Sequence, residues 1–308
     1  MKTLIGWLIG LSIVSLVGCT SPDHAITLEA SESPVVIPTA APTSAPSPTI
    51  SPTVVPECAE TTGTITQDTF NSTLASAVIH YRIYLPPCYK ANGKRYPLLM
   101  MLHGWIENST AMHDDQWVRL GLTDAADQGI TQGTLAPLII VMPNGNDANQ
   151  GNDGSPYAAI IATELLPEVM SRFCTWDDPA RRAIGGLSRG GFWAFSTAFH
   201  YPNLFSRIGG HSPFLYSGDF KENNPFDLLN TPIDIGMPVV AIDHGAQDFV
   251  QADVQVFVQK LQKRGVDVTY TVQPQGSHVE EYWGAHVAEY LAFYEADWPL
   301  DVSTFPDC

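Results

Sequence analysis

The segment Gly186-Leu187-Ser188-Arg189-Gly190 constrains this chain more than any other. It lies between a short strand pattern, Arg182–Gly185, and a helical pattern around Phe192–Phe199, so the backbone passes from strand to helix through one tight turn. So abrupt a reversal strains the backbone at Ser188, and the flanking glycines remove side chains that would collide there. The turn presents Ser188 Oγ at the sheet edge, beside the amino end of the helix. That setting makes Ser188 a candidate nucleophile rather than one more residue of a Gly-rich loop.

The rest of the chain supplies that sheet. Gly63–Thr69 and Ile79–Leu85 alternate, are rich in β-formers and are joined at Asn71-Ser72, which predicts an antiparallel hairpin. Leu98–Leu102, Leu138–Met142 and Val239–Asp243 are short apolar runs suited to strands buried on both faces. Val268–Gln273 alternates as a late strand. Helical patterns fall around Thr123–Gln128, Tyr157–Phe173 and Asp253–Arg264. A final helix is predicted over Val279–Tyr294, with apolar residues at Val279, Tyr282, Trp283, Val287, Tyr290, Leu291 and Tyr294. The expected architecture is α/β: a mostly parallel central sheet with an antiparallel N-terminal hairpin and helices on both faces, in one domain over residues 57–308. Chemistry is expected in the loops at the carboxyl ends of its strands.

A serine hydroxyl is a poor nucleophile near neutral pH and needs a base and an orienting acid. The Ser188 turn resembles the nucleophile elbow of α/β-hydrolases, where these follow in the order Ser, acid, His. Five histidines follow Ser188: His200, His211, His244, His278 and His286. His278 sits between the last strand and the last helix, the expected place for the base. His211 ends a strand and is expected to line the pocket without titrating, while His286 lies inside the final helix and reads as a packing or surface residue. Asp248 lies beyond a Gly-containing turn after Val239–Asp243 and is the favoured acid; Asp243, closing that strand, is the alternative. The oxyanion donors are expected to be the backbone amides of Arg189 and of Trp105, the latter in the loop Leu102-His103-Gly104-Trp105. His103 reads as a structural residue of that loop. Glu280 and Glu281 read as first-turn acids favoured by the helix dipole.

Beyond the elbow, Tyr84-Leu85-Pro86-Pro87, Lys94-Arg95-Tyr96-Pro97, Leu102-His103-Gly104, Val141-Met142-Pro143, Glu164-Leu165-Leu166-Pro167 and Gly276-Ser277-His278 with Tyr282-Trp283 are similar to the esterase D-like family of α/β-hydrolases. The similarity runs over about residues 62–296. That family includes S-formylglutathione hydrolases, feruloyl and acetylxylan esterases, enterochelin esterases and mycolyltransferases. The resemblance implies the α/β-hydrolase fold and ester chemistry, and says little about the substrate. Members commonly carry glycine where this chain has Cys88.

The amino terminus reads as an address. Lys2 precedes an uncharged apolar stretch, Leu4–Gly18, too short to span a bilayer and suited to a signal-peptide core. Leu16-Val17-Gly18-Cys19 resembles a lipobox, which implies cleavage before Cys19, its lipidation, and anchoring to the outer face of a bacterial membrane. Residues 20–56 hold eight Pro and twelve Ser/Thr and no Lys or Arg, the composition of a disordered linker. With Cys19 lipidated, four cysteines remain in an exported chain, an even number that suggests two disulfides. Cys58 and Cys88 flank the predicted hairpin, while Cys174 and terminal Cys308 could close a second link; four buried thiols are the alternative. Asn144–Gly154 looks like a cation loop but lacks the closing Glu of an EF-hand, and reads as a lid or solvated turn.

With 15 Lys+Arg against 32 Asp+Glu, the formal net charge of −17 excludes a general electrostatic grip on nucleic acid or anionic lipid. The sequence therefore predicts a serine esterase that hydrolyses a small-molecule or polysaccharide-linked carboxylic ester through an acyl-enzyme. No metal or cofactor is required, and the membrane is reached through the lipid alone. Acyl transfer of the mycolyltransferase type and a noncatalytic surface-binding module are the alternatives. Trp105, Trp117, Phe214 and Tyr216 could line the cleft or pack in the core.

Overall fold

The computed structural model describes residues 58–105, 113–145, 155–216, 222–231, 234–236 and 238–308. All of them belong to one compact unit, Val55–Cys308. The apolar leader, Cys19, the Pro/Ser/Thr-rich segment and residues 146–154 of the candidate cation loop lie outside the described residues.

Among the described residues eight strands form one sheet: β1 Thr64–Ser72, β2 Ala77–Leu85, β3 Leu98–Leu102, β4 Ile139–Pro143, β5 Arg182–Leu187, β6 Arg207–His211, β7 Val239–Gly245 and β8 Asp267–Gln273. Their order is β1-β2-β4-β3-β5-β6-β7-β8. The first two pairings, β1 with β2 and β2 with β4, are antiparallel and the rest parallel. The helices are α1 Tyr89–Asn92, α2 Gln116–Arg119, α3 Leu122–Gln132, α4 Tyr157–Ala159, α5 Leu166–Arg172, α6 Arg189–His200, α7 Pro225–Asn230, α8 Gln251–Lys263, α9 Glu280–Ala285 and α10 Val287–Glu295, with a π-helical stretch Ile160–Leu165 joining α4 to α5. Every residue of β3, β4, β5 and β6 is buried, as a sheet covered on both faces requires. The two-residue period sorts their side chains: Met100, Val141 and Ile184 join one core with Phe192 and Phe195 of α6. Leu99, Met101 and Met142 join the other, with Leu122 of α3 and Tyr290 and Leu291 of α10. Buried from Arg189 to Phe199, α6 is the central helix of its layer.

Two local expectations are corrected. Asn71 and Ser72 pair with Val78 and Ala77 inside the hairpin, so the turn is Thr73–Ser76. Glu164 holds that turn, accepting hydrogen bonds from the Ser72 and Thr73 hydroxyls and from the Thr73 and Leu74 amides. The final helix is broken at His286 into α9 and α10. Tyr282 and Tyr290 both donate to Asp243 Oδ2, although eight residues along a straight helix lie about 12 Å apart. The break lets the two phenols converge.

The four cysteines are paired as Cys58–Cys88 and Cys174–Cys308. Residues 93–96 explain the second link. Arg95 N donates to Pro306 O, Cys308 N to Gly93 O, and Tyr96 N to Cys174 O, so this segment is flanked by both cysteine-bearing strands. Cys88 adopts φ 63°, ψ 13°, a left-handed conformation that glycine reaches without strain. Here a half-cystine holds it, its amide bonded to Glu60 Oε2 at 2.8 Å.

Candidate active site

Ser188 follows β5 near the middle of the sheet and adopts φ 51°, ψ −117°, a region that non-glycine residues seldom occupy. Its amide donates to His211 O on the neighbouring strand at 2.9 Å, and its carbonyl accepts from Phe214 N at 2.9 Å. The glycines of the motif are needed for close approach. A Cβ on Gly186 would lie 2.4 Å from the Gly190 carbonyl carbon, and one on Gly190 2.2 Å from Leu102 O. The first turn of α6 is thereby pressed against β3 and β5, which leaves the serine side chain facing the loops.

Parallel order brings the carboxyl ends of β7 and β8 to the same edge. The Ser188 hydroxyl donates to His278 Nε2 at 2.8 Å. His278 Nδ1–H donates to both Asp248 oxygens, at 3.0 and 3.1 Å. Asp248 is buried, which opposes its ionisation, yet the bonds from His278 and from Val250 N hold its carboxyl below the usual range. The alternative acid is committed elsewhere. Asp243 accepts from His211 Nδ1 at 2.7 Å and from Tyr282 and Tyr290. Burial and then the Asp243 charge push both phenols far above their ordinary value, so they remain donors. The remaining late histidines also have other partners: His200 meets Glu222 O, His244 meets Tyr270, and His286 meets Glu289.

On the opposite side of Ser188 lies the loop after β3. His103 Nε2 accepts from Gly145 N, so its Nδ1–H donates to Gly104 O, each at 2.8 Å. Complete burial lowers its pKa to about 4, which keeps the ring neutral and structural. Gly104 N–H donates to Gln116 Oε1 at 2.9 Å, and Trp117 Nε1–H to Leu102 O at 3.0 Å. Because the Gly104 amide is directed at Gln116, Trp105 carries the next amide along the loop. A Cβ on Gly104 would meet Leu187 Cδ1 at 2.7 Å, so glycine lets the loop lie against the elbow.

A cavity of about 480 Å³ at the serine is lined by Gly104, Trp105, Gln116, Leu187, Ser188, Arg189, Phe214, Phe249, His278 and Trp283. Phe249 is 67% exposed and its ring lies 4.6 Å from that of His278, and Trp283 meets the same ring edge-on at 5.0 Å. Tyr216 stacks on Phe214 at 6.5 Å, outside the cavity wall. Of the aromatics marked in the sequence, Trp105 and Phe214 line the cavity while Trp117 is buried in the core. The Arg189 side chain turns inward, 4.3 Å from the Phe192 ring, where burial lowers its pKa to about 10. Sequence reasoning passed over Gln116 and gave Phe249 and Trp283 no role in the cavity. Proximity to Asp248 and His278 was the available signal for the two aromatics.

The sheet, the strained serine turn and its neighbours define an α/β-hydrolase. A family model described as "Putative esterase" matches residues 72–294, and the chain belongs to that family. An endo-1,4-beta-xylanase/feruloyl esterase of Xylanibacter ruminicola is 32% identical over 158 residues, which are 48% of this chain and 21% of that protein. An esterase of Mycobacterium tuberculosis is 31% identical over 139 residues, 42% of this chain and 28% of that protein. The chain thus spans less than a third of either relative. Among solved structures, a ferulic acid esterase aligns with TM-score 0.65 at 24% identity, covering 76% of this chain and 98% of that one. An S-formylglutathione hydrolase of Staphylococcus aureus aligns with TM-score 0.61 at 19% identity, covering 75% and 98%. These likenesses give the fold.

Proposed function

We propose that this chain is a serine carboxylic-ester hydrolase working through an acyl-enzyme. The observation that carries the reading is the continuous chain Ser188 Oγ, His278 Nε2, His278 Nδ1 and Asp248, with contacts of 2.8 and 3.0 Å. Ser188 Oγ attacks the ester carbonyl carbon and its proton passes to His278 Nε2. Asp248 holds the ring in the tautomer that can accept it and stabilises the imidazolium. The carbonyl oxygen becomes an oxyanion facing the amides of Trp105 and Arg189, and His278 returns the proton to the departing alkoxide. Water then enters by the same base and releases the acid. An aromatic acyl group, of the feruloyl kind named for several relatives, suits a cavity walled by Trp105, Phe214, Phe249 and Trp283.

A fluorophosphonate probe should label the wild-type chain at Ser188 and leave Ser188→Ala unlabelled. A panel of p-nitrophenyl, feruloyl and acetylated-sugar esters should show turnover only in the wild type. Failure of both labelling and turnover would make the chain a binding module. Accumulation of a new ester when an alcohol is added, with little free acid, would make it a transferase. For the leader, the reading is export and lipidation at Cys19. Cys19→Ser should then abolish partition into detergent, and unchanged partition rejects the anchor.

A further inference from the structure

The serine's two flanking loops are joined by a hydrogen-bond relay that lies outside the Ser188–His278–Asp248 chain. Gln116 Oε1 accepts from Gly104 N at 2.9 Å, in the loop that carries Trp105. Gln116 Nε2 donates at 2.9 Å to Glu280 Oε1, two residues after His278. Arg119 Nη1 donates at 3.0 Å to the other Glu280 oxygen and is itself paired with Asp115. Glu280 is thus more than a first-turn acid. Burial opposes its charge, but the bonds from Gln116 and Arg119 keep its carboxyl below the usual range. A glutamine amide can accept from one partner through its oxygen and donate to the other through its nitrogen, as Gln116 does here.

We infer that Gln116, buttressed by Glu280, is a positioning residue that holds Gly104 at its amide, next to the Gly104–Trp105 peptide whose carbonyl His103 Nδ1–H holds, and ties this oxyanion loop to the loop of the base. Gln116 itself touches no reacting atom. It holds the Gly104 amide while His103 Nδ1–H holds the Gly104 carbonyl, so the two together fix the Gly104–Trp105 peptide, and its second bond sets that loop relative to His278. Preorganised donors act because they need no reorientation as charge develops. A loop freed from Gln116 would still bind substrate but would stabilise the transition state less.

This inference rests on the ester-hydrolase reading, so wild type and Ser188→Ala are assayed alongside. Gln116→Met keeps the volume and removes both hydrogen bonds. Its kcat should fall between about tenfold and a hundredfold, less than the loss of an oxyanion donor itself, with KM within about threefold. Fluorophosphonate labelling should slow in parallel, because the phosphonyl oxygen occupies the oxyanion position. Glu280→Ala, at the surface end of the relay, should give a smaller loss of the same kind. Because Glu280 acts through Gln116, the double variant should be no slower than Gln116→Met within about threefold. Wild-type kcat in Gln116→Met, a loss in KM alone, a labelling rate that stays fast while kcat falls, or fully multiplicative losses would each overturn the inference. If Gln116→Met does not fold, Glu280→Ala carries the test: unchanged kcat overturns it there. A wild type that neither turns over an ester nor takes the label overturns the hydrolase reading and this inference with it.

Discussion

His103 should make the fold lose stability in mild acid through a single buried ring. An exposed histidine titrates near 6.5, whereas burial holds His103 neutral in the folded chain down to about pH 4. Between those values the unfolded chain binds a proton that the folded chain refuses, so stability falls as pH falls. The contribution is fully present above about pH 6.5 and is drained by about pH 4. A gap of about 2.5 pH units corresponds to about 3 kcal/mol, of which about 2 kcal/mol is gone by pH 4.5. That is a sizeable part of the ordinary 5–15 kcal/mol of a folded domain. The geometry supplies the cause, since a protonated Nε2 could no longer accept from Gly145 N. Urea unfolding followed by tryptophan fluorescence at pH 7 and 4.5 measures it. His103→Gln, which can still accept at that position but cannot titrate, should be less stable at pH 7 yet lose about 2 kcal/mol less on acidification. The other acids and histidines titrate in both proteins and cancel. Equal losses in the two would refute the reasoning and place the acid sensitivity elsewhere.

Three further outcomes are expected. Asp248→Asn should lower kcat by roughly 10⁴-fold, the scale on which a triad carboxylate acts. Asp243→Asn should stay within about tenfold in kcat but melt earlier, since it disturbs buried bonds worth about 1–3 kcal/mol; the reverse ranking moves the acid to Asp243. Gly190→Ala places a methyl 2.2 Å from Leu102 O and 2.5 Å from His103 O, both backbone atoms, and should cost about 3 kcal/mol or more and abolish activity. Near-normal activity in that variant rejects the close approach. Replacing Cys174 and Cys308 together by serine opens a link across a sequence separation of 134, and the chain-entropy model sets the loss at up to about 5 kcal/mol. A thermal midpoint unchanged by the double substitution, with the other disulfide intact, would exclude that pairing as a staple.

Local signals carried the serine, its sheet and the place of its partners. The elbow glycines are readable because they answer to atoms a few residues away or on adjacent strands. The run Leu98–Leu102 is readable because a strand buried on both faces is dominated by apolar residues, whereas Val239–Asp243 is buried on alternate residues only. Asp248 and His278 followed from chain order, since parallel strands deliver successive loops to one edge. Tertiary structure decided what those patterns leave open. It separated Asp248 from Asp243 by giving the latter three other donors. It placed the hairpin turn at Thr73–Ser76, where Glu164 could hold it, and broke the last helix at His286, where two tyrosines share one carboxylate. Gln116 and Glu280 are 164 residues apart, and neither has a sequence neighbour that hints at the other. Periodicity and turn chemistry are properties of a few consecutive residues, so a sequence displays them directly. A hydrogen bond between two loops exists only after the sheet has set them side by side.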